Sequence, residues 1–183
     1  MPEEAVSDEE LMQAVAQGNL DAFEQLFLRY QSAAWSVAYR FTGDAAEAED
    51  LVSDSFLRIL DAAERYKPTA SFRTYFYRIL TRRCIDFTRK KRPIATDNLP
   101  PVLASGYSQS EAVVHQEHNQ HIQNALEQLS EKHRLVVVLR YFEGFSNIAI
   151  AEMFQSSPKS IERMLARARK HLKPLLQSLL EED

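Results

Sequence analysis

Residues 146–173, SNIAIAEMFQSSPKSIERMLARARKHLK, join helix punctuation to a dense cationic face. Ser146 is suited to cap a short helix with Ile150 and Phe154 inward and the small Ala151 where two helices must cross closely. Ser157-Pro158 is a serine N-cap followed by proline at the first helical position. The helix that follows would bury Ile161, Met164, Leu165 and Ala168 as one stripe and leave Lys159, Arg163, Arg167, Arg169 and Lys170 outside it. Cations at this density neutralise phosphates. A short helix, a turn and a longer basic helix form the helix-turn-helix layout, whose second helix enters a DNA major groove. Gln155 stands in the turn where such motifs commonly carry glycine, so a polar side chain is expected to take a positive φ there.

A second cationic segment, SFRTYFYRILTRRCIDFTRKKRP (71–93), interleaves Tyr75, Tyr77 and Phe87 with Arg73, Arg78, Arg82, Arg83, Arg89, Lys90, Lys91 and Arg92. Phe72, Phe76, Ile79 and Leu80 are suited to packing. Cations release counterions from a nucleic-acid backbone, and aromatic faces accept unstacked bases. The mixture suits DNA that is opened rather than only gripped.

The elements that must hold these residues read as helices throughout. Ser7-Asp8-Glu9-Glu10 is a capping box for a short helix ending near Gly18-Asn19. A longer helix runs from about Asp21 to Thr42 with the stripe Phe23, Leu26, Phe27, Tyr30, Ala34, Val37, Ala38 and Phe41, and Gly43 ends it. Asp44 opens a third, with Ala48, Leu51, Val52, Phe56, Ile59 and Leu60 inward, and Ser71 caps a fourth, Phe72 to about Arg92. Residues 93–110 lose periodicity and carry three prolines, the composition of a linker. Glu111 to Leu129 resumes a polar helix, and Ser130 caps another with Leu135, Val136, Leu139 and Phe142 inward. LVVVL (135–139) has strand propensity, yet it lies between helix caps with no partner strand elsewhere, so helix is expected. Leu175, Leu176, Leu179 and Leu180 would extend the last helix. The expected fold is all-α: two small helical domains joined by a flexible linker, the second containing the helix-turn-helix.

Composition narrows the function classes. Across 183 residues, 45% hydrophobic and 26% charged with four glycines, the chain has the profile of a helical globular protein. No apolar run would span a bilayer, the acidic N-terminus lacks a signal-peptide core, and Cys84 alone cannot form an internal disulfide; a cytoplasmic protein without membrane insertion is expected. The net charge of −4 hides segregation. Residues 1–64 hold 14 acidic side chains against three arginines, residues 72–92 eight cations against Asp86, and residues 159–173 six cations against Glu162. Two basic helices in an acidic chain imply two phosphate-facing surfaces and a separate acidic surface for another partner.

Three stretches, in order, resemble the motifs of bacterial RNA polymerase sigma factors, specifically the extracytoplasmic-function (ECF) group. AEAEDLVSDSFLRIL (46–60) is similar to the polymerase-docking helix, FRTYFYRILTRRCIDFTRKKR (72–92) to the promoter −10 helix, and residues 125–154 with 157–172 to the −35 domain. The resemblance implies a region-two-like domain at 1–92, a linker at 93–117 and a region-four-like domain at 118–183. It implies core RNA polymerase and promoter DNA as partners and leaves room for an anti-sigma factor. Asp50, Leu51, Asp54 and Phe56 would meet polymerase. Arg73, Tyr75, Arg82, Arg83, Arg89 and Lys90 would hold −10 DNA, the loop before Ser71 and nearby aromatics taking an extruded base. Lys159, Ser160, Glu162, Arg163, Arg167 and Lys170 would read −35 DNA. Many relatives carry a basic residue, serine and arginine where this chain has Glu162, Arg163 and Met164, so an unusual −35 preference is expected. Ser53 likewise replaces a longer polar residue in the docking motif.

Two other readings compete. A stand-alone helix-turn-helix regulator would need neither the acidic docking helix nor the second basic helix. A nucleic-acid enzyme would use Asp50 and Asp54, four apart on one helix face, to hold magnesium. No catalytic residue, cofactor or metal site is expected: His115, His118 and His121 read as a solvated helix face, and Cys84, despite its neighbour Arg83, as a packing residue.

Overall fold

The computed structural model describes residues 6–91 and 119–177, with only the backbone of Lys90 and Lys91. The linker expected at 93–117, together with His115, His118, Leu179 and Leu180, lies outside the described residues. The first domain comprises α1 (Asp8–Ala16), α2 (Leu20–Thr42), α3 (Ala45–Ala62), a 3-10 turn (Ala63–Arg65) and α4 (Phe72–Lys91). The second comprises α5 (119–127), α6 (Glu131–Tyr141), α7 (Asn147–Met153) and α8 (Pro158–Leu175). The described residues contain no strand.

Caps start most helices where the sequence sets them. Ser7 and Glu10 form the reciprocal capping box of α1, and the side chains of Asn19 and Asp44 accept the N–H groups of Ala22 and Glu47. Helix α4 has a double start. The Ser71 hydroxyl accepts the Thr74 N–H at 3.2 Å, and the Glu9 carboxylate reaches from α1 to accept the Phe72 N–H at 2.7 Å. A negative charge at a helix N-terminus is favoured by the helix dipole, so α1 both packs beside α4 and fixes its origin. Asp8 anchors α1 in turn, accepting from Arg29 at 2.7 Å and from the Tyr30 hydroxyl.

Burial explains how α4 lies. Phe72, Phe76, Tyr77, Leu80 and Cys84 are fully buried along one side of it. Phe76 meets Phe56 at 4.8 Å between ring centroids and Tyr30 at 5.4 Å, and Phe56 meets Phe27 at 4.8 Å. Such pairs add to the area they bury and restrict ring orientation, so they resist rotation of α4 about its axis. Burial pushes the Cys84 thiol up to about 12, in keeping with a packing residue. Leu60, expected inward, is 37% exposed because it follows the buried Ile59 onto the outer side of α3.

The two domains pack against each other, with α2 and α4 of the first meeting α6 and α7 of the second. The Arg134 guanidinium donates to the Phe41 carbonyl near the end of α2 while also holding the carbonyls of Leu126 and Glu127. Gly43 takes φ +76, and a Cβ there would stand 2.7 Å from Glu127 Oε1. Phe142, expected inward, is 41% exposed but lies under the Arg40 guanidinium at 4.3 Å. Helix α6 is therefore covered from both sides. Leu135, Val136, Val137, Val138 and Leu139 are all buried, which accounts for LVVVL forming an all-round apolar helix rather than a strand.

Phe56 sits in the ring cluster at 3% exposure. Truncating Phe56→Ala should cost about 3–5 kcal/mol of first-domain stability by denaturant unfolding. Unchanged stability with lost partner binding would instead make it a contact residue.

Candidate nucleic-acid and polymerase interfaces

Helix α8 presents its cations outward. Ile161, Leu165, Ala168 and Leu172 are buried against the domain, while Lys159, Glu162, Arg163, Arg167 and Lys170 are exposed and Ser160 is half-buried. The turn before it is tight. Gln155 takes φ +49, as the sequence requires, and the Ser156 N–H closes back on the Ala151 carbonyl at 2.8 Å. Ser157 accepts the Ser160 N–H at 3.2 Å, which fixes the N-terminal turn of the helix. Farther along α8, Arg167 lies near His133 of α6, whose Nδ1 shares a 2.6 Å hydrogen bond with the Ser130 hydroxyl; burial, with the Arg167 cation, lowers the His133 pKa and favours the neutral ring.

The residues predicted on α4 separate into three groups. Arg82 and Arg89 are exposed and point away from the core. Arg83 is only 20% exposed: it is ion-paired to Asp54 of α3 and lies 3.4 Å from Asp86. A phosphate contact expected at Arg83 and a polymerase contact expected at Asp54 are thus one interaction across two helices. Arg73 is drawn toward the second domain, donating to the Glu143 carbonyl at 2.6 Å and its carboxylate at 3.3 Å. The side chain of Lys90 lies outside the described residues.

Tyr75 is half-buried beside a small cleft formed by Lys67, Thr69, Ala70, Thr74 and Arg78, with Glu152 of α7 on its far side. Tyr66 packs on Tyr75 at 5.1 Å, and the Arg78 guanidinium stands 5.4 Å from the Tyr75 ring. Burial raises the pKa of both phenols, and the Tyr66 hydroxyl is buried without a hydrogen-bond partner. Sequence reasoning missed Tyr66; its aromatic ring directly before Lys67-Pro68 was the available signal. Tyr77, read as a surface for bases, is instead fully buried. It stands one position beyond Phe76 on the core side of α4, and the second domain closes over it.

On the acidic side, Asp50 is exposed and Asp54 partly so, whereas Leu51 and Phe56 are 5% and 3% exposed. The last two, expected to face a partner, are interior because the α2–α3 packing takes both. An open groove beside them is lined by Phe27, Gln31, Trp35, Glu49, Val52 and Ser53. Trp35 stacks on Tyr39 at 5.0 Å. It lies off the buried stripe of α2, the signal that could have singled it out. Among the described residues no group of three or more His, Cys, Asp or Glu side chains is arranged to hold a metal.

Residues 26–94 match the Sigma-70 region 2 family, and residues 120–172 match Sigma-70, region 4. The ECF RNA polymerase sigma factor SigW of Bacillus subtilis is 30% identical over 176 residues, covering 90% of this chain and 94% of that protein. The chain belongs to the ECF sigma factors. The RNA polymerase sigma-H factor of Pseudomonas aeruginosa is 28% identical over 191 residues, covering 96% of each. Among solved structures, CnrH in complex with the cytosolic domain of CnrY aligns at TM-score 0.72 and 26% identity over 93% of this chain and 97% of that one. The sigma factor RpoE of Bartonella quintana, in complex with the anti-sigma factor NepR, shares the fold at TM-score 0.69 and 21% identity, covering 85% and 96%. As an alternative sigma factor the chain binds core RNA polymerase and promoter DNA and directs transcription initiation. No described helix is long and apolar enough to cross a membrane.

The geometry ranks two adjacent cations of this sigma factor. Arg82→Ala should reduce the salt slope of promoter binding by about 1, and Arg83→Ala should leave it nearly unchanged, because Arg83 is already neutralised within the fold. Titrations of the holoenzyme at several salt concentrations separate the two, and equal slopes would refute the ranking.

Proposed function

We propose a division of labour in which residues 1–92 dock on polymerase and engage the −10 element, 93–117 link, and 118–183 engage the −35 element. The single observation behind it is the separation of exposed charge: cations on α4 and α8, acidic side chains with an apolar groove on α2 and α3. Opposite charge on three faces suits three contacts made in one assembly.

At −10, Arg82 and Arg89 follow the DNA backbone, with Lys90 extending the run, and the cleft at Lys67, Tyr75 and Arg78, backed by Tyr66, opens to receive a base drawn out of the stack. Arg73 joins them once it leaves Glu143. At −35, Lys159, Ser160, Arg167 and Lys170 fix α8 on the phosphates while Glu162 and Arg163 meet base edges. Glutamate accepts from the cytosine amino group and arginine pairs bidentately with guanine. Toward polymerase, Asp50 supplies charge, Asp54 contributes through its pair with Arg83, and the groove at Phe27 and Trp35 supplies the apolar contact that Leu51 and Phe56, being interior, do not.

The chain carries out no bond chemistry itself and works in the cytoplasm, where polymerase and promoter are found. An anti-sigma factor is a further partner of the same faces, by analogy with the complex of the Bartonella quintana relative with NepR.

The test is transcription from a genomic fragment library by core polymerase reconstituted with this chain. Discrete start sites sharing two spaced elements are expected with the wild-type chain. Arg163→Ala should relax the preference at one or two −35 bases, by about 1–3 kcal/mol of discrimination. Uniform weakening across all promoters would make Arg163 a phosphate contact instead.

A further inference from the structure

The turn between α6 and α7, Glu143-Gly144-Phe145, is built into the first domain rather than left at the surface. The Glu143 side chain is only 11% exposed, and its carboxylate bonds to Arg73 and Tyr77 of the first domain. Its carboxylate accepts from the Tyr77 hydroxyl at 2.6 Å and from Arg73 at 3.3 Å, and its carbonyl accepts from Arg73 at 2.6 Å. Gly144, at φ +70, reverses the chain so that Phe145 follows Glu143 onto the same surface. The Phe145 ring meets Tyr77 edge-on at 5.0 Å and lies 3.9 Å from the Arg73 guanidinium. Arg73 is therefore held between a carboxylate and an aromatic face. Beside it, Glu152 of α7 lines the cleft at Tyr75 and Arg78. The outer face of α8 remains uncovered.

We propose that this sigma factor closes itself: Glu143 latches the −35 domain onto Arg73 and Tyr77 of the −10 helix, so that the free chain covers the N-terminal half of α4 while leaving α8 available. The carboxylate occupies a cation that a DNA phosphate would take, and Glu152 of α7 adds a negative side chain at the cleft beside Tyr75 and Arg78. The latch is stronger than a surface ion pair because both Tyr77 and most of Glu143 are removed from water, where an unpaired partner is costly. No second protein is needed for closure. Whatever opens the chain must compete with Glu143, and the free state binds −35 duplex fully and single-stranded −10 DNA only weakly.

The consequence for DNA rests on α4 being the −10 helix; the closure itself does not, and the two are read separately. In the full chain, dyes on cysteines introduced at the exposed Asp61 and Lys132 report inter-domain distance by energy transfer, with the buried Cys84 left unlabelled. Wild type should give one high-transfer population. Glu143→Ala should shift it to low transfer and strengthen binding of a −10 non-template oligonucleotide by about tenfold, with −35 duplex affinity unchanged. Tyr77→Phe, which deletes only the hydroxyl, should act in the same direction and decides the matter if Glu143→Ala does not fold. A wild-type chain that is already open, or folded variants that stay closed, would overturn the latch. Opening without a gain in −10 affinity would overturn the DNA assignment of this end of α4 and leave the latch standing.

Discussion

Because the aromatic side of α4 is sealed into the first domain, the directions of its other side chains are not free variables. Phe72, Phe76, Tyr77, Leu80 and Cys84 are all fully buried, and the ring contacts of Phe76 with Phe56 and Tyr30 hold that side in place. Arg82 and Arg89 are then outward by helical geometry, Arg83 is turned to α3, and Tyr75 is turned to the loop that precedes the helix. The Glu9 carboxylate at the Phe72 N–H sets the longitudinal register. On the proposed reading of α4 as the −10 helix, that constraint offers DNA fixed contacts, where a mobile helix would lose conformational entropy on binding.

The same helix is also where the two domains meet. Tyr77 would be a poor interior residue for a lone domain, since its hydroxyl needs a partner away from water; Glu143 provides it, and burial together with that bond raises the phenol's pKa. The seam continues through Arg40 on Phe142 and Arg134 on the Phe41 carbonyl. These contacts are polar and cationic rather than purely apolar, which suits surfaces that must also tolerate water when apart.

Much of the molecule was legible in the chain itself because it is local. Ser7, Asp44, Ser146 and Ser157 cap the helices they precede, Gln155 takes the positive φ that its place in the turn demands, and the α8 stripe separates core from cation. What escaped is long-range. The Asp54–Arg83 pair joins residues 29 apart, and the Tyr77–Glu143 bond joins residues 66 apart. Helical periodicity gives the side a residue occupies, not the element that covers it. Periodicity sets Leu51 and Phe56 inward, where they lie, and only the resemblance to the docking motif made them contacts; Val137 and Val138, omitted from the inward set, are covered by the seam. The continuous apolar run LVVVL was the visible trace of that second covering surface.

The central claim is that α4, held by its buried face, is the surface through which this sigma factor opens promoter DNA. Permanganate reactivity of thymines in a promoter bound by core polymerase reconstituted with this chain tests it most directly. Reactive thymines confined to the −10 region, lost when Tyr75 and Arg82 are replaced by alanine in a chain that still binds polymerase, are the predicted result. A −10 region that opens equally well with those variants would contradict the account.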